Sequence, residues 1–314
     1  MRKMLLALAV IFLSFSAEAD EGMWLLKELN QQSIARMQEM GFTFPIDKVY
    51  DEVNPSLKDG VVIFGGGCTG VVVSEKGLIF TNHHCGYGAI QKLSSLERDI
   101  LKDGYAAADM DSELASDGLA VSFLRSTEDV TDRIMSQISS DLSEIQRQQA
   151  IDSISDVLTE QYEDDQFAQA RVVPFYGGNQ YYMVVYDVFR DVRLVVAPPS
   201  SVGKFGGDTD NWMWPRHTGD FSAFRVYADK NNRPATYNED NVPYTPKHVV
   251  PVSLAGYKEN DYAMTIGFPG TTKRYLSSWG IQRMVDSENK PRIEVRGAKQ
   301  EIWRKAMNQS DAVR

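Results

Sequence analysis

The chain has 314 residues, 43% hydrophobic and 24% charged, with a formal net charge of −10. That size and composition support one large folded domain or two ordinary ones and exclude a disordered chain. The acidic balance argues against nucleic acid as a partner, because no basic face is available to neutralise phosphates.

Residues 1–19 read as a secretory signal. Arg2 and Lys3 precede an apolar run over residues 4–15, which is too short to span a bilayer. Ala17-Glu18-Ala19 is a small-x-small cleavage site, so the mature chain is expected to start near Asp20. No other apolar run reaches membrane-spanning length, and the mature protein is expected to be exported and soluble. Residues 20–48 then read as helical, with Met23, Leu26, Leu29, Ile34 and Met37 spaced for one face. Residues 61–64 are a short apolar strand that leads into Gly65-Gly66-Gly67.

A β-hairpin over residues 70–81 delivers Thr81-Asn82-His83-His84-Cys85. A histidine at a strand end, followed directly by cysteine, is how trypsin-like serine peptidases present their general base. That role needs a rigidly held imidazole of near-neutral pKa. His84 is preferred over His83, because it directly precedes the cysteine. A turn at Lys76-Gly77 would place Cys68 opposite Cys85 across an antiparallel ladder, within reach of a disulfide. Two cysteines in an exported protein suit one such bond. No HExxH, CxxC or HxH spacing accompanies the histidines, so neither a metal site nor a cofactor is expected.

Residues 89–170 read as a helical excursion from a β core, with helices expected over 92–103 and 128–163. Ile134, Ile138, Leu142, Ile145 and Ile151 carry the helical spacing in the second. Strand character returns at 171–175, 181–189, 191–196, 221–227, 249–254 and 262–268. This spacing predicts a mainly β fold, a closed or nearly closed antiparallel barrel. After Tyr275 the pattern turns helical, most clearly over 293–307.

The segment 206–221 is dense in Gly, Asp and Trp. Asp220, at the entrance to a strand, is placed to be the buried carboxylate that fixes a histidine tautomer. Asp208 and Asp210 are rivals, with turn-capping as their ordinary role. Asn211 and Trp212 offer an amide acceptor and a π face, a combination suited to a cationic amine. No Gly-x-Ser-Gly occurs anywhere in the sequence, so no catalytic serine is expected in this chain.

Residues 64–70, 81–87 and 210–221 together resemble the bacterial dipeptidyl-peptidase 7 and 11 family, and the likeness runs from the signal to Arg314. These are exported serine exopeptidases of Gram-negative bacteria. The resemblance implies a trypsin-like double β-barrel with a large helical domain inserted between its parts. It implies His84 as catalytic base, Asp220 as its orienting acid, and Asn211 and Trp212 as holders of the substrate's N-terminal amine. Peptides with a free N-terminus would be the substrates, and the location the periplasm or cell surface. A homodimer of the intact protein is compatible with it. It also implies that the nucleophilic serine lies in a C-terminal half beyond this sequence. On that basis residues 20–276 form the N-terminal part of the peptidase domain, and 277–314 begin the helical domain. Two rivals are a non-catalytic peptide- or amine-binding protein on a peptidase-derived barrel and a metal-dependent hydrolase.

Overall fold

The computed structural model describes residues 23–29, 31–162, 165–207, 214–259, 261–270, 276–311 and 313–314. The expected signal and the loop holding Asp208, Asp210, Asn211 and Trp212 lie outside the described residues.

Near the N-terminus a single 3-10 turn at Leu26–Glu28 precedes α1 (Gln31–Glu39) and α2 (Ile46–Val49). The expected continuous helix over 20–48 is broken. Gly41 takes a left-handed φ of 101°, and Pro45 sits extended just before α2.

Among the described residues, eleven strands form one antiparallel sheet. They are β1 (Val61–Phe64), β2 (Cys68–Val72), β3 (Leu78–Thr81), β4 (Tyr105–Ala106), β5 (Leu114–Ala115) and β6 (Val121–Asp129). After these come β7 (Ala168–Phe175), β8 (Gln180–Phe189), β9 (Asp191–Ala197), β10 (Ser222–Ala228) and β11 (Val242–Pro243). Their order is β4-β9-β10-β3-β2-β1-β6-β8-β7, with β11 on β10 and β5 on β9. The helices between them are α3 (His83–Leu93), α4 (Ile100–Asp103), α5 (Thr131–Met135), α6 (Glu144–Thr159) and α7 (Ser200–Gly203). Beyond the sheet, α8 (Ser278–Arg283) runs through a π-helical stretch into α9 (Lys290–Met307).

The mainly antiparallel β class holds, but the expected barrel closure does not: the sheet stays open along its hydrogen-bonded path among the described residues. Two expected strands are irregular. At 249–254 Pro251 has no N–H to give a ladder, and Val250 alone donates to Val72 O at 2.9 Å. At 262–268 the Phe268 N–H donates to the Thr69 hydroxyl at 2.8 Å instead of to a strand.

The expected helical excursion is also only partly helical. It contains β6, which pairs with β8 from Val121↔Phe189 to Asp129↔Tyr182. The predicted helix over 128–163 is two helices. The second starts at a capping box in which Ser143 and Gln146 satisfy each other's backbone N–H groups.

Strand β8 shows how the sheet divides its burial. Tyr181, Met183 and Val185 pack with Ile134, Ile151 and Leu158 of the α5–α6 layer. Their alternate neighbours Tyr182, Val184 and Tyr186 meet Leu25, Ile63 and Phe268 on the other face. That is the period-two alternation of a strand covered on both sides. The main core gathers Val62, Phe64, Val72, Ile79, Ile90, Phe189, Leu194 and Phe224. No helix among the described residues is long and apolar enough to cross a membrane.

Candidate active site

The β2–β3 turn closes at Gly77, whose N–H donates to Ser74 O at 3.2 Å with φ of 65°. A Cβ there would lie 2.8 Å from Val226 O, so this close backbone approach also requires glycine. The ladder pairs Val71 with Phe80 and Val72 with Ile79. That is two residues away from the register expected to face Cys68 with Cys85. The strand stops at Thr81, and His83, His84 and Cys85 form the first turn of α3. Cys68 and Cys85 are nevertheless bonded, with Cα atoms 6.1 Å apart. The helical turn, not a strand ladder, brings Cys85 back over the start of β2. Sγ and imidazole donors of Cys68, His84 and Cys85 lie within 4.8 Å of one another, but both sulfurs are held in the disulfide and offer no thiolate.

Helix α3 lies against β10 because Gly86 permits it. A Cβ at that position would sit 2.9 Å from both the Phe224 ring and the Ser222 hydroxyl. The Ser222 hydroxyl itself donates to Asn82 O at 2.9 Å. Since β10 pairs with β3 through Ser222↔Thr81, the residues just before β10 face the start of α3.

That juxtaposition brings Asp220 to His84 across 136 residues of sequence. One carboxylate oxygen accepts the His84 backbone N–H at 3.0 Å, and the other meets His84 Nδ1 at 2.7 Å. Asp220 thus caps a helix N-terminus and orients a ring with the same group. The Asn82 amide donates to Asp220 O at 3.0 Å and to Oδ2 at 3.4 Å, and Arg216 donates to Oδ2 at 3.3 Å. Four donor groups thus surround one carboxylate. Its side chain is 8% exposed, whereas that of His84 is 62% exposed. With Nδ1–H given to Asp220, Nε2 is the acceptor that can take a proton.

His83 points the other way. It is 1% exposed, edge-on to Tyr87 at 6.0 Å. Burial pushes its imidazole below the usual histidine range. Among the described residues neither of its ring nitrogens has a hydrogen-bond partner.

The structure therefore joins four of the sequence-selected residues, His84, Asp220, Cys68 and Cys85, in one corner. Asn211 and Trp212 fall outside the described residues. Sequence reasoning missed Asn82, Arg216 and Ser222, which hold the carboxylate and the helix start. A signal existed for two of them, since Asn82 adjoins the histidine pair and Arg216 stands four residues before Asp220.

The sequence profile described as Peptidase S46 matches residues 19–314. The chain belongs to the peptidase S46 family. It is 56% identical over 298 residues to dipeptidyl-peptidase 7 of Porphyromonas gingivalis, covering 95% of this chain and 42% of that protein. It is 44% identical to the Asp/Glu-specific dipeptidyl-peptidase of Flavobacterium psychrophilum, covering 97% of this chain and 43% of that one. Among solved structures, Porphyromonas endodontalis DPP11 in complex with the dipeptide Arg-Glu superposes with a TM-score of 0.83 at 44% identity. That match covers 93% of this chain and 43% of the other. The chain thus spans less than half the length of these relatives.

Proposed function

We propose that this peptidase S46 chain supplies the general base and its orienting acid for a serine-type dipeptidyl-peptidase acting on free N-termini. The observation that carries the reading is the double grip of Asp220 on the backbone and ring of His84. In the reaction, a serine hydroxyl gives its proton to His84 Nε2 as its oxygen bonds to the substrate carbonyl carbon. His84 then returns that proton to the departing amine, and water repeats the cycle on the acyl-enzyme. Asp220 holds the ring in place and stabilises the imidazolium. Asn211 and Trp212 would hold the substrate's N-terminal ammonium, the amide as acceptor and the indole by its π face. The names of the relatives support release of dipeptides. The serine must come from a segment that this sequence does not contain, since no Gly-x-Ser-Gly occurs in it.

We infer export as well, from the basic, apolar and small-residue succession of residues 1–19 and from a disulfide suited to an oxidising compartment. An N-terminus near Asp20 on the protein recovered from its host checks this.

The purified 314-residue chain is expected to release no dipeptide. The product of a reading frame extended to a Gly-x-Ser-Gly motif is expected to release dipeptides, and to lose about 10⁴-fold or more in kcat on His84→Ala. Dipeptide release by the short chain, abolished by His84→Ala, would overturn the need for an outside serine. A stop codon at the end of this frame, with no release, favours the non-catalytic peptide- or amine-binding reading.

A further inference from the structure

The least explained group in the molecule is His83. A buried neutral imidazole ordinarily satisfies both nitrogens, and this one satisfies neither among the described residues. Its contacts show what it does instead. A Cβ built on Gly203 would strike the His83 ring at 2.5 Å, so α7 lies directly on the imidazole. The same turn reaches the irregular segment that leads through Asp220 into β10. Val202 O accepts the Gly219 N–H at 3.0 Å, and a Cβ on Gly219 would meet Val202 Cγ1 at 2.7 Å. One step further on, the Thr218 hydroxyl donates to Phe205 O at 2.7 Å. Residues 200–205 thus form a wedge with one side on His83, next to His84, and the other on Gly219, next to Asp220.

We propose that His83 is a positioning residue whose neutral ring seats this wedge and so fixes the His84–Asp220 pair, and that protonation of His83 unseats it. The functional meaning rests on the peptidase reading, but the coupling between the two histidines does not.

Protonation would add a charge and a second N–H donor to a ring whose nitrogens have no hydrogen-bond partner among the described residues, and a buried unpaired charge is expelled or neutralised. Among the described residues, the charged and titratable groups acting on the ring are Asp220 at the entrance of β10, Lys204 after α7, and His84 in its own helix. Tyr87 meets its edge from the next turn of α3. Burial acts most strongly and lowers the pKa of His83. Asp220 opposes that, while His84 and Lys204 add to it. The unfolded chain binds the proton first, so the contribution is fully present above the ordinary value of 6.5 and declines as pH falls below it.

The test reads the His84 Nδ1 proton bonded to Asp220 as a far-downfield proton resonance in the 314-residue chain, assigned by its loss in Asp220→Ala. In the unsubstituted protein it is expected to be sharp at pH 8 and to broaden by pH 5 as the wedge opens. His83→Phe, which keeps a ring and cannot titrate, should hold the line sharp across that range. Gly203→Ala, which pushes on the ring, should broaden it even at pH 8. A His83→Phe profile like that of the unsubstituted protein would overturn the proposal. So would an unaltered line in Gly203→Ala, which stands if His83→Phe does not fold. Because no readout is an activity, absence of dipeptide release from the extended protein would remove the peptidase reading and leave this result intact.

Discussion

Two regions of this chain, both helical, are held in opposite ways. Helix α3 carries two glycines within eleven residues, poor helix formers, yet its first turn is fastened by a disulfide, a carboxylate cap and a fitted contact with β10. Helix α9 runs through eighteen residues and has no buried residue among those described. Ile293, Val295, Ile302 and Trp303 all stand exposed on it. A helix can thus be written by local propensity and stay energetically separate, or be written by tertiary ties against its propensity. Here only the second kind holds a side chain, that of His84, in a hydrogen bond with a residue 136 positions away.

The comparison breaks most sharply at the disulfide. Replacing Cys68 and Cys85 together by Ser should cost about 3 kcal/mol in denaturant unfolding, the chain-entropy value for a loop of this length, and reductant should do the same to the native protein. Asp220→Ala should cost about 1 to 2 kcal/mol, because it removes the cap of α3. Asp220→Asn should cost less, since the amide oxygen can still accept the His84 N–H. If the two substitutions cost the same, the capping half of the double grip is absent. Trp303→Ala on α9 should move global stability by less than about 0.5 kcal/mol. A larger loss, measured in the same denaturation series, would show that α9 is coupled to the sheet after all.

The same contrast explains what was legible in the sequence. Helix α9 and strands β8, β9 and β10 could be read because local pattern alone writes them. Helix α3 could not. Residues 81–87 look like a strand end, and the helix there rests on tertiary ties: the disulfide, the Asp220 cap and Gly86 fitting under Phe224 and Ser222. Strand β6 was missed because its second half, through Arg125, Ser126 and Thr127, faces outward without an apolar alternation. The stretches at 249–254 and 262–268 have strand composition, but Pro251 and the Thr69 hydroxyl divert their backbones. His84, Asp220 and the cysteine pair were identified by residue type and spacing. The route joining the cysteines was not, since a two-residue change of register is invisible without the turn's geometry.

The adjacency of β3 and β10 also has a meaning in time. The imidazole at residue 84 leaves the ribosome long before its carboxylate partner, which follows 136 residues later. The Cys68–Cys85 loop closes between nearby residues once the chain reaches an oxidising compartment, yet the His84 imidazole has no carboxylate partner until β10 docks. The His84–Asp220 pair therefore depends on the last long strand of the sequence taking its place beside β3, and it forms no earlier than the sheet around it.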